Sequence, residues 1–93
     1  MENLVAGTQQ ANIPMINLLF FGRLCNFCSG VPKQIEAANV TQILEILKTN
    51  HPLLVRELES PQVMVAVNKK LTDWHSVIKP GDEVAFLPPV TGG

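Results

Sequence analysis

The last fourteen residues of the chain, PGDEVAFLPPVTGG at positions 80–93, decide the fold. Residues 80–82 are a strong turn signal, and the apolar run Glu83–Leu87 that follows is predicted to be the final strand. Two prolines then hold the backbone extended, and the terminal Gly92 and Gly93 carry no side chains. The sequence therefore predicts a strand that continues directly into an extended tail, residues 88–93.

The segments before this strand show sheet and helix periodicities in a simple order. Residues 15–21 (MINLLFF) are apolar on both faces, as in a central strand, and residues 34–38 form a weaker strand after a loop. Residues 63–67 (VMVAV) are rich in β-branched side chains and are predicted to be a further strand.

One main helix is predicted between the second and third strands. Asn39 is a candidate N-cap with Gln42 three residues later, and apolar residues follow at helical spacing. The Pro52 ring ends this helix near His51, and residues 53–61 form a connection with room for one further short helical turn. The order strand, strand, helix, strand, strand predicts a two-layer α+β domain over residues 15–87.

Length, charge and hydropathy exclude several classes of protein. The 93 residues allow one domain, and a net charge of −1 with seven Lys and Arg leaves no basic surface for nucleic acid. The longest apolar run is far too short to span a bilayer. Residues 1–14 are polar and resemble no signal peptide, so we expect a flexible extension on a cytoplasmic protein.

The pair Cys25 and Cys28 has the spacing C-x-x-C, which occurs in zinc and redox sites. A structural zinc site needs four ligands, and the spacing of His51 and His75 matches no zinc-finger pattern. A redox dithiol normally opens a helix, which residues 30–32 (GVP) do not. We therefore expect two reduced cysteines, no metal site, and inward packing of Cys25 or Phe27.

The tail is the candidate functional site. Six residues reach roughly 20 Å beyond the last strand, at about 3.3 Å per residue. A tip without Cβ atoms suits a carboxylate that enters a narrow channel and is activated there. The alternative is an unstructured end without a role.

The chain resembles the family of molybdopterin synthase small subunits, which are ubiquitin-like sulfur carriers. Residues 65–68 (VAVN) and 80–93 carry the resemblance, which extends over residues 15–93 and is most specific in the last fourteen. It implies a ubiquitin-like β-grasp fold, with a mixed sheet and one main helix packed on one face. The C-x-x-C loop after the first strand departs from the family pattern.

The resemblance also implies a carrier cycle. A ubiquitin-activating-type enzyme would use ATP to adenylate the carboxylate of Gly93, and a sulfur donor would displace AMP to leave a thiocarboxylate. The tail, with Pro88, Pro89, Val90 and Thr91, would then enter the large synthase subunit and give its sulfur to the molybdopterin dithiolene. The catalytic groups would belong to the large subunit, in an assembly with two of each subunit. The chain would be no enzyme on its own and would bind no cofactor.

A helix layer on one face leaves the other face of the sheet without a cover. Phe21 ends the first predicted strand, and Phe86 and Leu87 end the last, beside the tail. We therefore predict that these three residues contribute to a partly exposed apolar patch that docks the partner proteins.

Two other functions remain open at this stage. Sulfur carriers for thiamine synthesis or tRNA thiolation share the fold and the terminal Gly-Gly, but they usually lack a Pro-Pro-Val-Thr spacer. A ubiquitin-like protein modifier would instead join Gly93 to a lysine through an isopeptide bond. All of these proteins begin with adenylation of the terminal carboxylate, so the tail alone does not separate them.

Overall fold

Residues 15–88 are described by a computed structural model, in which five strands form one sheet and two α-helices cover one of its faces. The predicted extension, residues 1–14, and tail residues 89–93 lie outside the described residues. The elements, in chain order, are β1 Met15–Phe20, a 3₁₀ helix Gly22–Phe27, β2 Gln34–Glu36, α1 Val40–Lys48, α2 Pro52–Leu58, β3 Met64–Val67, β4 Lys70–Thr72 and β5 Glu83–Leu87.

The sheet is mixed, with the strand order β2-β1-β5-β3-β4. β5 is parallel to β1 on one side and antiparallel to β3 on the other. β2 and β4 form the edges through antiparallel pairing. This is the predicted β-grasp arrangement, and its parallel central pair brings the ends of β1 and β5 to the same edge of the sheet.

The core lies between the helices and the inner face of the sheet. Phe86 of β5 is fully buried and lies between two aromatic rings, with centroids 5.3 Å away for Phe20 and 5.7 Å away for Trp74. Other fully or almost fully buried side chains come from both layers: Ile16, Val84, Val65, Val40, Ile43, Leu47, Leu54 and Leu58. Burial of these apolar groups is the main source of stability in so small a domain.

The predicted cap of α1 is confirmed. Asn39 Oδ1 accepts a hydrogen bond of 2.8 Å from the backbone N–H of Gln42, and Gln42 Oε1 accepts one of 2.6 Å from the N–H of Ala38. The reciprocal bond therefore closes on the residue before the cap rather than on the cap itself. Together the two bonds satisfy donors that a helix start would otherwise leave open.

The connection after α1 contains more helix than the sequence analysis predicted. Pro52 begins α2, a seven-residue helix, because the fixed φ of proline and its missing N–H suit the first helical position. Leu54, Val55 and Leu58 anchor the helix in the core. The same proline thus ends one helix and starts the next.

A short strand, β4, was not predicted. Asn68 and Lys69 adopt φ values of 52° and 72°, which is the backbone of a tight hairpin turn. The turn brings Lys70–Thr72 back along β3, with Leu71 registered to Ala66. Asparagine tolerates this left-handed conformation better than most residues, so Asn68 was the available signal.

The predicted loop after β1 begins with the 3₁₀ helix. Leu24 is its fully buried residue, while Cys25 is exposed and Phe27 packs partly against the core. Of the two residues of which one was expected to pack inward, Phe27 packs partly against the core and Cys25 is exposed.

Candidate functional site: the tail root and the outer face of the sheet

The point at which the tail leaves the domain is fixed by contacts between the ends of β1 and β5. The backbone N–H of Phe21 donates a hydrogen bond of 3.0 Å to the carbonyl of Phe86. The next residues, Gly22 and Pro88, lie so close that a Cβ added to Gly22 would stand 2.7 Å from Cγ of the proline ring. Gly22 also has a φ of +58°, which L side chains rarely adopt. We call this Gly22–Pro88 contact the tail root.

Of the predicted tail residues, the structure describes Pro88. Pro89, Val90, Thr91, Gly92 and Gly93 lie outside the described residues. Their assigned roles in channel entry and sulfur transfer stay predictions. The tail root is the point at which the described part of the chain ends, beside the last residue of β5.

Beside the tail root, the face of the sheet opposite the helices carries two rows of apolar side chains. The first row crosses four strands, because Leu19 is registered with Ala85, Ala85 with Ala66, and Ala66 with Leu71. With strands about 4.8 Å apart, this row spans roughly 14 Å. Its two central residues are alanines, so the middle of the row is shallow.

The second row lies nearer the tail and consists of Phe21, Leu87 and Met64, the last two being registered partners. Phe21 is 46% exposed and Leu71 of the first row is 66% exposed. A shallow cavity of about 250 Å³ lies over the two alanines. It is lined by residues of both rows and by two charged residues: Phe21, Ala66, Lys69, Leu71, Glu83, Ala85 and Leu87. We call these two rows the outer apolar face.

The structure corrects one of the three predicted docking residues. Phe86 is 0% exposed, because alternation along β5 turns Val84 and Phe86 toward the helices. Its side chain is therefore not on a surface that a partner reaches, and the prediction that Phe86 docks partners is wrong for this conformation. Phe21 and Leu87 do lie on the outer apolar face, where their docking role stays a prediction.

Met64 and Leu71 also belong to this surface, although they were not among the predicted docking residues. Met64 precedes Val65 in β3, so its outward position follows from the alternation of a strand. Leu71 is placed by β4, which the sequence analysis did not predict. The hairpin turn at Asn68 was the signal that would have found it.

The opposite end of β5 is held by a polar network around Asp82. Its carboxylate accepts hydrogen bonds from the Asn68 side chain at 3.0 Å and from the Lys79 backbone N–H at 2.8 Å. These two bonds, in that order, and the nearby Lys79 ammonium hold the pKa of the Asp82 carboxyl below its ordinary value, against a small opposing effect of desolvation. The network joins the turn before β5 to the β3–β4 hairpin at this end of the sheet.

The described residues form no cluster of the metal-ligand type, and their core is apolar. Over residues 15–88, no three His, Cys, Asp or Glu side chains converge as metal ligands would. The core of the same part of the chain contains no buried polar or charged side chain. None of its helices has the length and apolar character that a membrane crossing requires.

Comparison with known proteins assigns the chain to a family. The ThiS family matches residues 18–93, a range that runs from the middle of β1 to the end of the tail. The molybdopterin synthase sulfur carrier subunit of Haemophilus influenzae is 36% identical over 81 residues, which cover 85% of this chain and all of the relative.

Solved structures give the same fold. Small archaeal modifier protein 1 from Methanosarcina acetivorans superimposes with a TM-score of 0.75 at 19% identity, over 86% of this chain and 97% of that one. A chain from the complex of subunits 1 and 2 of the molybdopterin-converting factor of Helicobacter pylori gives a TM-score of 0.58 at 26% identity, over 85% and 99%. The predicted ubiquitin-like β-grasp fold is confirmed, and this chain belongs to the ThiS family as a homologue of the molybdopterin synthase sulfur carrier subunits.

Proposed function

We propose that this chain is the sulfur carrier subunit of a molybdopterin synthase. The observation that carries the proposal is the similarity to a carrier of that name over 85% of this chain, together with the sequence Pro-Pro-Val-Thr-Gly-Gly that follows β5. The terminal Gly93 carries the sulfur as a thiocarboxylate and donates it to the dithiolene of molybdopterin.

The chemistry divides between this chain and its partners. A carboxylate is a poor electrophile, so an activating enzyme of the ubiquitin-activating type uses ATP to convert it to an acyl-adenylate. A sulfur donor then attacks the Gly93 carbonyl carbon, and AMP leaves with its phosphate oxygen. The chain binds no cofactor in this scheme, and the acid and base groups for transfer to the pterin lie on the large subunit.

The outer apolar face is the surface that we assign to partner docking. It adjoins the tail root, so a partner that binds Phe21 and Leu87 also receives the tail at a defined position and direction. The Helicobacter pylori relative is solved as a complex of subunits 1 and 2, which supports a large-subunit partner here. A dithiolene needs two sulfur atoms, so two loaded carriers are needed per product. The family resemblance supports two small subunits on a central dimer of large subunits.

Top-down mass spectrometry of the intact chain tests the proposal. The protein is incubated with ATP, the activating enzyme and a sulfur donor, and a chain without Gly93 is treated identically. Replacement of one oxygen by sulfur nearly equals one oxidation in mass, and the three Met and two Cys also oxidise. The added mass must therefore be localised to Gly93 by fragmentation and must react with an alkylating agent. An unmodified Gly93 under these conditions contradicts the carrier function.

A protein modifier is the second candidate, because the Methanosarcina acetivorans neighbour is called a small archaeal modifier protein. In that function Gly93 would end in an isopeptide bond to a lysine. High-mass conjugates that disappear when Gly93 is deleted would favour the modifier. Formation of molybdopterin from a cyclic pterin precursor by the loaded chain and the large subunit would favour the synthase. A loaded chain that supports thiamine synthesis or tRNA thiolation instead would assign one of those pathways.

A further inference from the structure

The 3₁₀ helix after β1 places two cysteines above one another. Cys28 follows Cys25 by three residues, and its backbone N–H donates a hydrogen bond of 3.2 Å to the carbonyl of Cys25. A 3₁₀ helix has three residues per turn, so side chains at this spacing eclipse each other. A rise of about 2.0 Å per residue separates the two Cα atoms by about 6 Å. That distance lies within the range of roughly 4.4–6.8 Å at which disulfides form.

Both thiols open onto the same side of this helix. Each lines a cavity of about 340 Å³ between the end of β1 and the segment that leads into β2. Cys25 is exposed and Cys28 is half-buried. An oxidant therefore reaches Cys25 directly, while Cys28 lies behind it within the same cavity.

Little holds the thiols in their present orientation. Cys25 Sγ donates a hydrogen bond to the carbonyl of Phe20, and Cys28 Sγ donates one of 3.2 Å to the carbonyl of Leu24. A thiol is a weak donor, so turning both side chains toward each other sacrifices little. No change of the backbone hydrogen bond between the two cysteines is required.

The surroundings of the two thiols also favour reaction of Cys25 before Cys28. Burial, and then the negative charge that Cys25 would carry, raise the pKa of the Cys28 thiol. Once Cys25 is joined to a small thiol, it no longer bears that charge. The barrier to ionising Cys28 then falls, which favours its attack as the second step.

We propose that Cys25 and Cys28 form a reversible dithiol–disulfide couple that low-molecular-weight disulfides oxidise. The Cys25 thiolate attacks one sulfur of the small disulfide and expels one thiolate. Cys28 loses its proton and attacks the sulfur of Cys25, forming the internal disulfide and expelling the second thiolate. The protein loses two electrons and two protons, and the small disulfide becomes two thiols. The argument against a redox dithiol rested on the absence of a helix after the cysteines; the structure instead has a 3₁₀ helix that contains Cys25 and has Cys28 as its C-cap.

Titration of the full chain with mixtures of reduced and oxidised glutathione tests this couple. Free thiols are alkylated at each point, and the intact mass and peptide map are recorded. We expect the wild-type chain to lose two hydrogens, retain no glutathione and recover both thiols when the buffer is made reducing. The test needs no sulfur-transfer partner, so its outcome is independent of the function proposed above.

Two serine variants assign the order of attack. Cys28→Ser lacks the second thiol and should trap one glutathione on Cys25. Cys25→Ser should take up glutathione more slowly, because the remaining thiol is half-buried. Circular dichroism checks that both variants stay folded. The proposal is overturned if the wild-type chain keeps a stable glutathione adduct, forms dimers between chains, or retains both thiols in fully oxidised glutathione.

Discussion

Replacing Gly22 by alanine tests whether the tail root positions the tail for its partners. The change adds one methyl group that meets Cγ of Pro88 at 2.7 Å, where an ordinary contact begins near 3.4 Å. The two residues must therefore separate by about 0.7 Å, and we expect the Pro88 ring, with the start of the tail, to move. A displacement of about 1 Å at a reacting group can lower a rate by about 100-fold. We expect sulfur transfer from loaded Gly22→Ala to the pterin precursor to fall by about tenfold or more.

The same substitution also destabilises the domain through its backbone. A left-handed conformation is about 1–2 kcal/mol less favourable for alanine than a right-handed one. For a domain of this size, each kcal/mol lowers Tm by about 4–8 °C. We expect Gly22→Ala to lose at least this much stability, because displacement of Pro88 adds to the strain.

Gly81 is a matched control. Its φ is +89°, but nothing lies within 4 Å of the Cβ that an alanine would add. Gly81→Ala should therefore lose stability by strain alone and transfer sulfur at the wild-type rate below its Tm. Thermal unfolding and single-turnover transfer with the large subunit are measured for both variants. If Gly22→Ala transfers sulfur as fast as Gly81→Ala, the tail root does not position the tail and our reasoning fails.

Three further changes test other parts of the molecule. Phe86→Ala should lower the free energy of unfolding by about 3–5 kcal/mol, since it empties the centre of the core; a urea titration showing a loss below 1 kcal/mol would contradict the burial of that ring. Asn39→Ala should cost about 1 kcal/mol in the same assay, because the α1 cap is lost, and an unchanged midpoint would show that the cap is not stabilising. Asp82→Asn should be less stable than wild type at neutral pH. The lowered pKa of Asp82 means that its charge stabilises the fold above the ordinary pKa of 3.8 and that this contribution disappears as the pH falls through the folded value. The difference between wild type and Asp82→Asn in acid denaturation should therefore shrink below pH 3.8, and a constant difference would refute the assignment.

The parts of the fold that the sequence predicted are those in which local signals agree with tertiary packing. The N-cap at Asn39 and the turn before β5 each have a local chemical cause, and both occur as predicted. β4 was missed because the alternation of Lys70, Leu71 and Thr72 spans only three residues, which is too short to indicate a strand, and pairing with β3 stabilises it. So short a strand is stabilised by hydrogen bonds to its neighbour, which its own sequence does not reveal.

At the candidate site, the sequence did not determine which face of β5 packs against the helices. Val84 and Phe86 alternate with Ala85 and Leu87, and both pairs are apolar, so the sequence does not say which pair meets the helices. The structure resolves this in favour of the bulkier set, since the aromatic ring of Phe86 fills the space between Phe20 and Trp74. The alanine of the other set then leaves the shallow cavity on the outer apolar face.

The position of β5 at the centre of the sheet also determines how the domain responds to force. Every residue of β5 is registered with a residue of β1, of β3 or of both. A pull along the tail therefore loads the hydrogen bonds on both sides of the strand in shear, so that they resist together rather than opening one at a time. An edge strand such as β4 has such bonds on one side only. A partner that withdraws the tail from a channel would therefore pull the folded domain as a rigid body, and the carrier would leave each encounter mechanically intact.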